Sequence, residues 1–149
     1  MHTLKVSDWM TRNVITVDPG TPLPDALALM REKHIRRLPV MDSGRLVGIV
    51  TYGDLREASP SEATGLSVHE MSYLLSKLGV GKLMTAKPFT VTPYTPLTEA
   101  AALMLEHKIG ALPVMDGEAL VGIITESDIF RAFVRLLEEK PEVLGAPTG

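Results

Sequence analysis

The chain has 149 residues, 45% of them apolar, a formal net charge of −3 and no cysteine. That is enough chain for one ordinary domain or for two small halves sharing a core, and the lack of cysteine excludes disulfide frameworks, thiolate nucleophiles and cysteine-based zinc sites. Acidic and basic residues are interspersed, no run approaches the roughly 18 apolar residues of a membrane helix, and Met1-His2-Thr3-Leu4-Lys5 lacks the layout of a signal peptide, so the expected compartment is the cytoplasm, with neither nucleic acid nor membrane as a partner.

In chain order, Val14–Val17 is β-prone and closed by Pro19-Gly20. Thr21 then suits an N-cap with Pro22 at the first helical position, and Leu23, Ala26, Leu27 and Met30 fall at i, i+3, i+4 and i+7, which predicts a helix with one apolar stripe. Arg37–Met41 and Arg45–Thr51 predict two strands joined by a hairpin turn at Asp42-Ser43-Gly44, followed by a helix from about Tyr52. The connector Ser59–Gly79 begins polar at Ser59-Pro60-Ser61, then turns helical in pattern through Val68, Met71, Leu74, Leu75 and Leu78. It is too apolar for a flexible tether and is expected to pack on the rest of the chain or on a partner.

From Val80 the pattern returns. Val6–Ala58 maps without gaps onto Val80–Ala132 at an offset of 74 residues. Thr21-Pro22-Leu23 recurs as Thr95-Pro96-Leu97, and Leu38-Pro39-Val40-Met41-Asp42 as Leu112-Pro113-Val114-Met115-Asp116. Leu97, Ala100, Ala101 and Met104 repeat the helical stripe, Asp116-Gly117 the turn, and Glu126 to Lys140 a longer final helix. Two copies are too few for a solenoid, so the expected architecture is α/β, two β-α-β-β-α domains as a symmetric pair. The expected boundaries are 1–58 and 80–140 for the domains, 59–79 for a linker with a helix, and 141–149, rich in proline and glycine, for a disordered tail.

The last strand of each copy leads into Gly48-Ile49-Val50-Thr51-Tyr52-Gly53-Asp54 and Gly122-Ile123-Ile124-Thr125-Glu126-Ser127-Asp128, both Gly-apolar-apolar-Thr-x-x-Asp. A helix N-terminus offers unpaired N–H groups and positive dipole to an anionic phosphate near the threonine hydroxyl, while the carboxylate one turn on repels phosphate and suits hydroxyl donors instead. The same four residues also form a variant capping box, and the two roles can coexist. Gly48 and Gly122, bare within a strand, admit close approach of a ligand or of another backbone.

In these motifs and in Leu-Pro-Val-x-Asp the sequence resembles the CBS-domain family, and over its whole length the stand-alone bacterial CBS pairs of the acetoin-utilisation protein B-like group. The resemblance implies two tandem domains about a pseudo-twofold axis, with the aspartate holding the ribose of an adenosine ligand. It also implies clefts that cross the copies. One combines Thr125 and Asp128 with Thr16, Ile35, Arg36 and Arg37; the other combines Thr51 and Asp54 with Thr90, Ile109, Gly110 and Ala111. Arg36-Arg37 can pair with phosphate where Gly110-Ala111 cannot, which ranks Asp128 above Asp54 for nucleotide binding. Read alone, the two arginines also fit a solvated strand edge.

The resulting expectation is a regulatory module that binds AMP, ADP, ATP or S-adenosylmethionine and acts on an unidentified partner protein. The alternative is a ligand-independent dimerisation or scaffolding module. Catalysis is the least supported class: no Ser-His-Asp arrangement, phosphate-cradling glycine loop or carboxylate pair stands out, no cofactor is required, and His2, His34, His69 and His107 share no metal-ligand spacing. Trp9 and the methionines read as core or interface. Leu55, Ala58, Ile129, Phe130, Phe133, Val134, Leu136 and Leu137 give the final helices more apolar surface than one small sheet covers, which predicts a homodimer through the outer helices, a flat disc of four domains.

Overall fold

The computed structural model describes residues 4–59 and 65–140; the tail 141–149 and the connector residues 60–64 lie outside the described residues. In chain order the elements are α1 (Val6–Trp9), α2 (Leu23–Lys33), β1 (Arg37–Asp42), β2 (Arg45–Thr51), α3 (Tyr52–Ala58), α4 (Val68–Ser76), a 3₁₀ turn at Val80–Lys82, β3 (Thr85–Ala86), α5 (Leu97–His107), β4 (Ala111–Asp116), β5 (Ala119–Thr125) and α6 (Glu126–Glu139). They form two compact units: a contiguous one, Val14–Pro88, and a composite one, Met1–Asn13 with Phe89–Gly149.

Proline sets the reach of the first strand in each copy. The Val17 N–H donates to the Pro39 carbonyl at 3.1 Å and the Met41 N–H to the Val17 carbonyl at 2.8 Å. The next rung of this parallel ladder needs an N–H on Pro39, which proline lacks. The strand expected at Val14–Val17 is therefore a single bridge, Val17 to Val40, and Val91 against Val114 repeats it beside Pro113.

Helix α2 begins one residue later than the sequence suggests, with Pro22 rather than Thr21 as N-cap. Thr21 is used elsewhere: its hydroxyl accepts the Asp18 N–H at 3.2 Å. The first free N–H of α2, on Leu23, donates instead to the Leu78 carbonyl at 2.8 Å, and Val80 N–H returns a bond to the Thr21 carbonyl at 2.9 Å. Helix α5 repeats the device, Leu97 N–H donating to Leu4 at 2.8 Å and Val6 N–H to Thr95 at 2.9 Å. Leu4 and Leu78 are themselves 74 residues apart in the repeat. The lead-in of the second copy thus closes the first unit, and the lead-in of the first copy closes the second. The packed units differ from the sequence repeats at their ends for this reason.

The predicted stripes are the cores. Leu23, Ala26 and Met30 are buried with Val17, Leu38, Val40, Val50, Leu55 and Val80 in the contiguous unit. Leu97, Ala100 and Met104 are buried with Val6, Met10, Val91, Leu112, Val114, Ile124 and Ala132 in the composite unit, with Trp9 packed against them. Each large side chain so buried contributes about 1.5–3 kcal/mol. The hairpins pair as expected, Arg37 opposite Thr51 and Ala111 opposite Thr125. Ser43 (φ 53°) and Gly44 (φ 81°) make the mirror-image turn that matches the strand twist.

The connector helix α4 packs on α2, and Leu75 and Leu78 lie against the core of the contiguous unit. A short strand that the sequence pattern does not suggest, β3, then adds to β2 through Gly48–Ala86 and Ile49–Thr85. In the composite unit a single bridge, Thr11 to Ile123, takes the equivalent place. Among the described residues, no helix is long and apolar enough to cross a membrane.

Candidate functional site

Both Thr-x-x-Asp motifs sit where a strand becomes a helix. Thr51 has extended backbone (φ −109°, ψ 160°) and caps α3, its hydroxyl accepting the Asp54 N–H at 3.1 Å while the Asp54 carboxylate accepts the Thr51 N–H at 2.9 Å. This is the reciprocal capping box read from the sequence. The Asp54 Oδ1 has no hydrogen-bond partner among the described residues, and the residue is half-buried.

The second motif is wired differently. Oδ2 of Asp128 accepts both the Thr125 N–H at 2.9 Å and the Thr125 hydroxyl at 3.2 Å, and Oδ1 is paired with the Nη2 of Arg131. Asp128 is 2% exposed and is the one charged side chain buried among the described residues. The residue equivalent to Arg131 in the first copy is Glu57, so Asp54 has no such partner. Arg131 was missed in reading the sequence. The signal was available in the repeat itself, as an opposite charge three residues after an otherwise matched aspartate.

The wall residues each lie beside the motif of their own copy. Arg37 pairs with Thr51, the Arg36 carbonyl accepts the Tyr52 N–H at 2.7 Å, and the Arg36 guanidinium lies 5.0 Å from the centre of the Tyr52 ring. Ile35, Arg36 and Tyr52 line a recess of about 370 Å³ with Arg31 and His34. In the other unit Ala111 pairs with Thr125, the Gly110 carbonyl accepts the Glu126 N–H at 3.0 Å, and Ile109 lines an apolar recess of about 510 Å³ with Leu105, Ile129 and Phe130. The same position thus carries a cation over an aromatic ring in one unit and a bare glycine in the other. Thr16 and Thr90 are exposed; Thr16 lines a separate open recess with Asp18, Asp25 and Glu32. The described contacts do not bring either threonine to the Thr-x-x-Asp motif of its own unit.

Gly48 and Gly122 are explained within their units. A Cβ on Gly48 would meet the Met84 Sδ and come within 2.8 Å of the Thr85 carbonyl oxygen; on Gly122 it would lie 2.6 Å from the Met10 Sδ and 2.9 Å from the Thr11 carbonyl oxygen. Of the two uses the sequence left open, close approach of another backbone is the one observed. No group of His, Asp and Glu residues able to hold a metal ion occurs among the described residues.

The family model for the CBS domain matches residues 6–61 and 80–135. The chain belongs to the CBS-domain family. Its CBS pair is similar in structure to a Vibrio cholerae protein assigned to acetoin utilization, AcuB, at 37% identity with a TM-score of 0.76, covering 95% of this chain and 98% of that one. It is also similar to CBSX2 of Arabidopsis thaliana, solved in complex with AMP, at 37% identity with a TM-score of 0.72, covering 89% of this chain and 97% of that one. The CBS domain pair of protein MJ0100, solved in complex with 5′-methylthioadenosine and S-adenosyl-L-methionine, is 26% identical with a TM-score of 0.75, covering 90% of this chain and 98% of that one. The two-repeat architecture of mixed helices and strands and the CBS assignment read from the sequence therefore stand.

Proposed function

We propose that this CBS pair is a regulatory module that binds an adenosine ligand, AMP, ADP, ATP or S-adenosylmethionine, and passes its occupancy to a partner protein without catalysing a reaction. The observation that carries the reading is the duplicated Thr-x-x-Asp at a helix N-terminus, in a chain whose relatives are solved with AMP, S-adenosylmethionine and methylthioadenosine. In this reading Asp54 and Asp128 receive ribose hydroxyls and Thr51 and Thr125 stand near the first phosphate. Thr16, Ile35, Arg36 and Arg37 serve the ligand at Asp128, and Thr90, Ile109, Gly110 and Ala111 the ligand at Asp54. The module works in the cytoplasm.

Arg36 and Arg37 are the groups of this set able to pair with phosphate. Replacing both with alanine should weaken AMP and ATP by about tenfold or more, a loss of the size expected for charge-assisted hydrogen bonds, and leave adenosine nearly unchanged. Calorimetric titration of the three ligands at two salt concentrations measures this, and the variant should also show a flatter salt dependence of nucleotide binding. Equal loss of adenosine and AMP would assign the arginines to the fold, and a wild-type chain that binds none of these ligands at millimolar concentration would favour a scaffolding role.

A second copy of the chain is the proposed partner for helix α6. Phe130, Phe133 and Val134 are 64%, 50% and 52% exposed along one side of it. Leu55, expected to contribute, does not: it is fully buried in its own core. Light scattering at micromolar concentration should report a dimer, and Phe133→Glu should return it to a monomer by placing charge in the contact. A wild-type monomer would overturn the assignment.

A further inference from the structure

The two aspartates offer a ligand different things. A ribose diol donates two O–H groups and needs a carboxylate with open acceptor positions. Asp54 has one as it stands, since its Oδ2 takes the Thr51 N–H and its Oδ1 is unpartnered among the described residues. Asp128 has both oxygens engaged, Oδ2 by Thr125 and Oδ1 by Arg131, and is 2% exposed. A diol finds two open acceptor positions on Asp128 only when Arg131 leaves it.

What Arg131 meets on leaving decides which ligands are admitted. A bare nucleoside replaces an ion pair with hydrogen bonds from uncharged donors and gives the released guanidinium no new partner, so the exchange is unfavourable. A ligand that carries phosphate supplies an anion to which the guanidinium can turn, so the exchange becomes close to even. The side chain of Arg131 is 63% exposed, which leaves it free to swing out into solvent or toward an anion.

Resting on the adenosine-ligand reading above, we infer that Arg131 is a specificity-determining residue: it closes the Asp128 site to neutral adenosine compounds and admits phosphorylated ones. Asp54, three residues before Glu57, carries no such filter. The two copies of one motif thereby separate nucleosides from nucleotides by a single difference in charge.

The test reads the Asp128 site alone, in a chain carrying Asp54→Ala, by calorimetric titration with adenosine and with AMP. Adding Arg131→Ala should tighten adenosine by about tenfold, as the carboxylate is freed, while AMP stays level or weakens, so the preference for AMP collapses. Arg131→Lys, which keeps the cation, should retain most of the preference. An arginine that only supports the fold would weaken both ligands together, and that result, or an adenosine affinity that does not rise, overturns the inference. AMP binding to the Asp54→Ala chain would still uphold the proposed function in that event, whereas a wild-type chain that binds no AMP brings down both.

Discussion

Gly122→Ala is expected to destabilise the composite unit by about 3 kcal/mol, the upper part of the range for forcing a methyl group into a filled space. The added Cβ would lie 2.6 Å from the Met10 Sδ and 2.9 Å from the Thr11 carbonyl oxygen. The methionine is flexible, but the carbonyl is not. It accepts the Ile123 N–H at 3.0 Å, and the Thr11 N–H donates back to Ile123 at 2.9 Å. Relieving the clash therefore breaks the bridge that ties the start of the chain to β5. Gly48→Ala should act in the same way on the pairing of β3 with β2, since its Cβ would come within 2.8 Å of the Thr85 carbonyl oxygen. Gly53→Ala is the control: its Cβ meets nothing closer than the Thr51 Oγ1 at 3.7 Å, and in a helix the change should be neutral or stabilising by roughly 0.5–1 kcal/mol. Urea unfolding followed by circular dichroism measures all three, and an unchanged midpoint for Gly122→Ala would mean that the Thr11 strand moves aside freely.

The second large effect is expected at the two aspartates, where stability and binding separate. Asp128→Ala strands the part-buried Thr125 N–H and hydroxyl and leaves the exposed Arg131 without its partner, and should destabilise by about 2 kcal/mol, within the range for leaving polar groups unsatisfied away from water. Asp54→Ala removes one cap bond from a half-buried site and should destabilise by about 1 kcal/mol. For adenosine the order reverses: Asp54→Ala should lose about 1–3 kcal/mol of affinity and Asp128→Ala very little. The family resemblance alone ranks Asp128 first because of the arginines assigned to its ligand, and for phosphorylated ligands that ranking is expected to hold. Unfolding and titration of the two variants side by side decide it, and equal losses of adenosine affinity would mean that the sites are equivalent.

The parts of the fold legible in the sequence are those set by periodicity and by short-range turn chemistry. Leu23, Ala26 and Met30 are buried because they share one face of a helix, and the hairpin turns at Ser43-Gly44 because Gly44 accepts positive φ. What escaped the reading depends on partners far away in the chain. Nothing near Val17 shows that Pro39 will stand beside it and stop its strand, and nothing near Thr85-Ala86 shows that Gly48 has left room for it. Leu55 looks like surplus surface until the sheet beneath it is seen to bury it. At the candidate site, the capping bonds of Thr51 with Asp54 and of Thr125 with Asp128 were legible because the motif is local. Arg131 was not, because its meaning lies in the difference between two copies that are otherwise alike.

The exchange of lead-in segments gives the two units different histories during synthesis. The bonds that bring the lead-in of the second copy onto the contiguous unit, Leu23 to Leu78 and Val80 to Thr21, lie within Val14–Pro88, so it can finish once that stretch has left the ribosome. The composite unit must bring Thr11 to Ile123, 112 residues later in the chain, a closure whose entropy grows slowly with length but which cannot begin until the second copy exists. Meanwhile Leu4–Thr11, with its apolar Val6 and Met10, is without its own slot and is the repeat equivalent of Leu78–Thr85, for which the contiguous unit holds a place ready. Correct folding thus requires the contiguous unit to take Leu78–Thr85 rather than its repeat equivalent, which is made first.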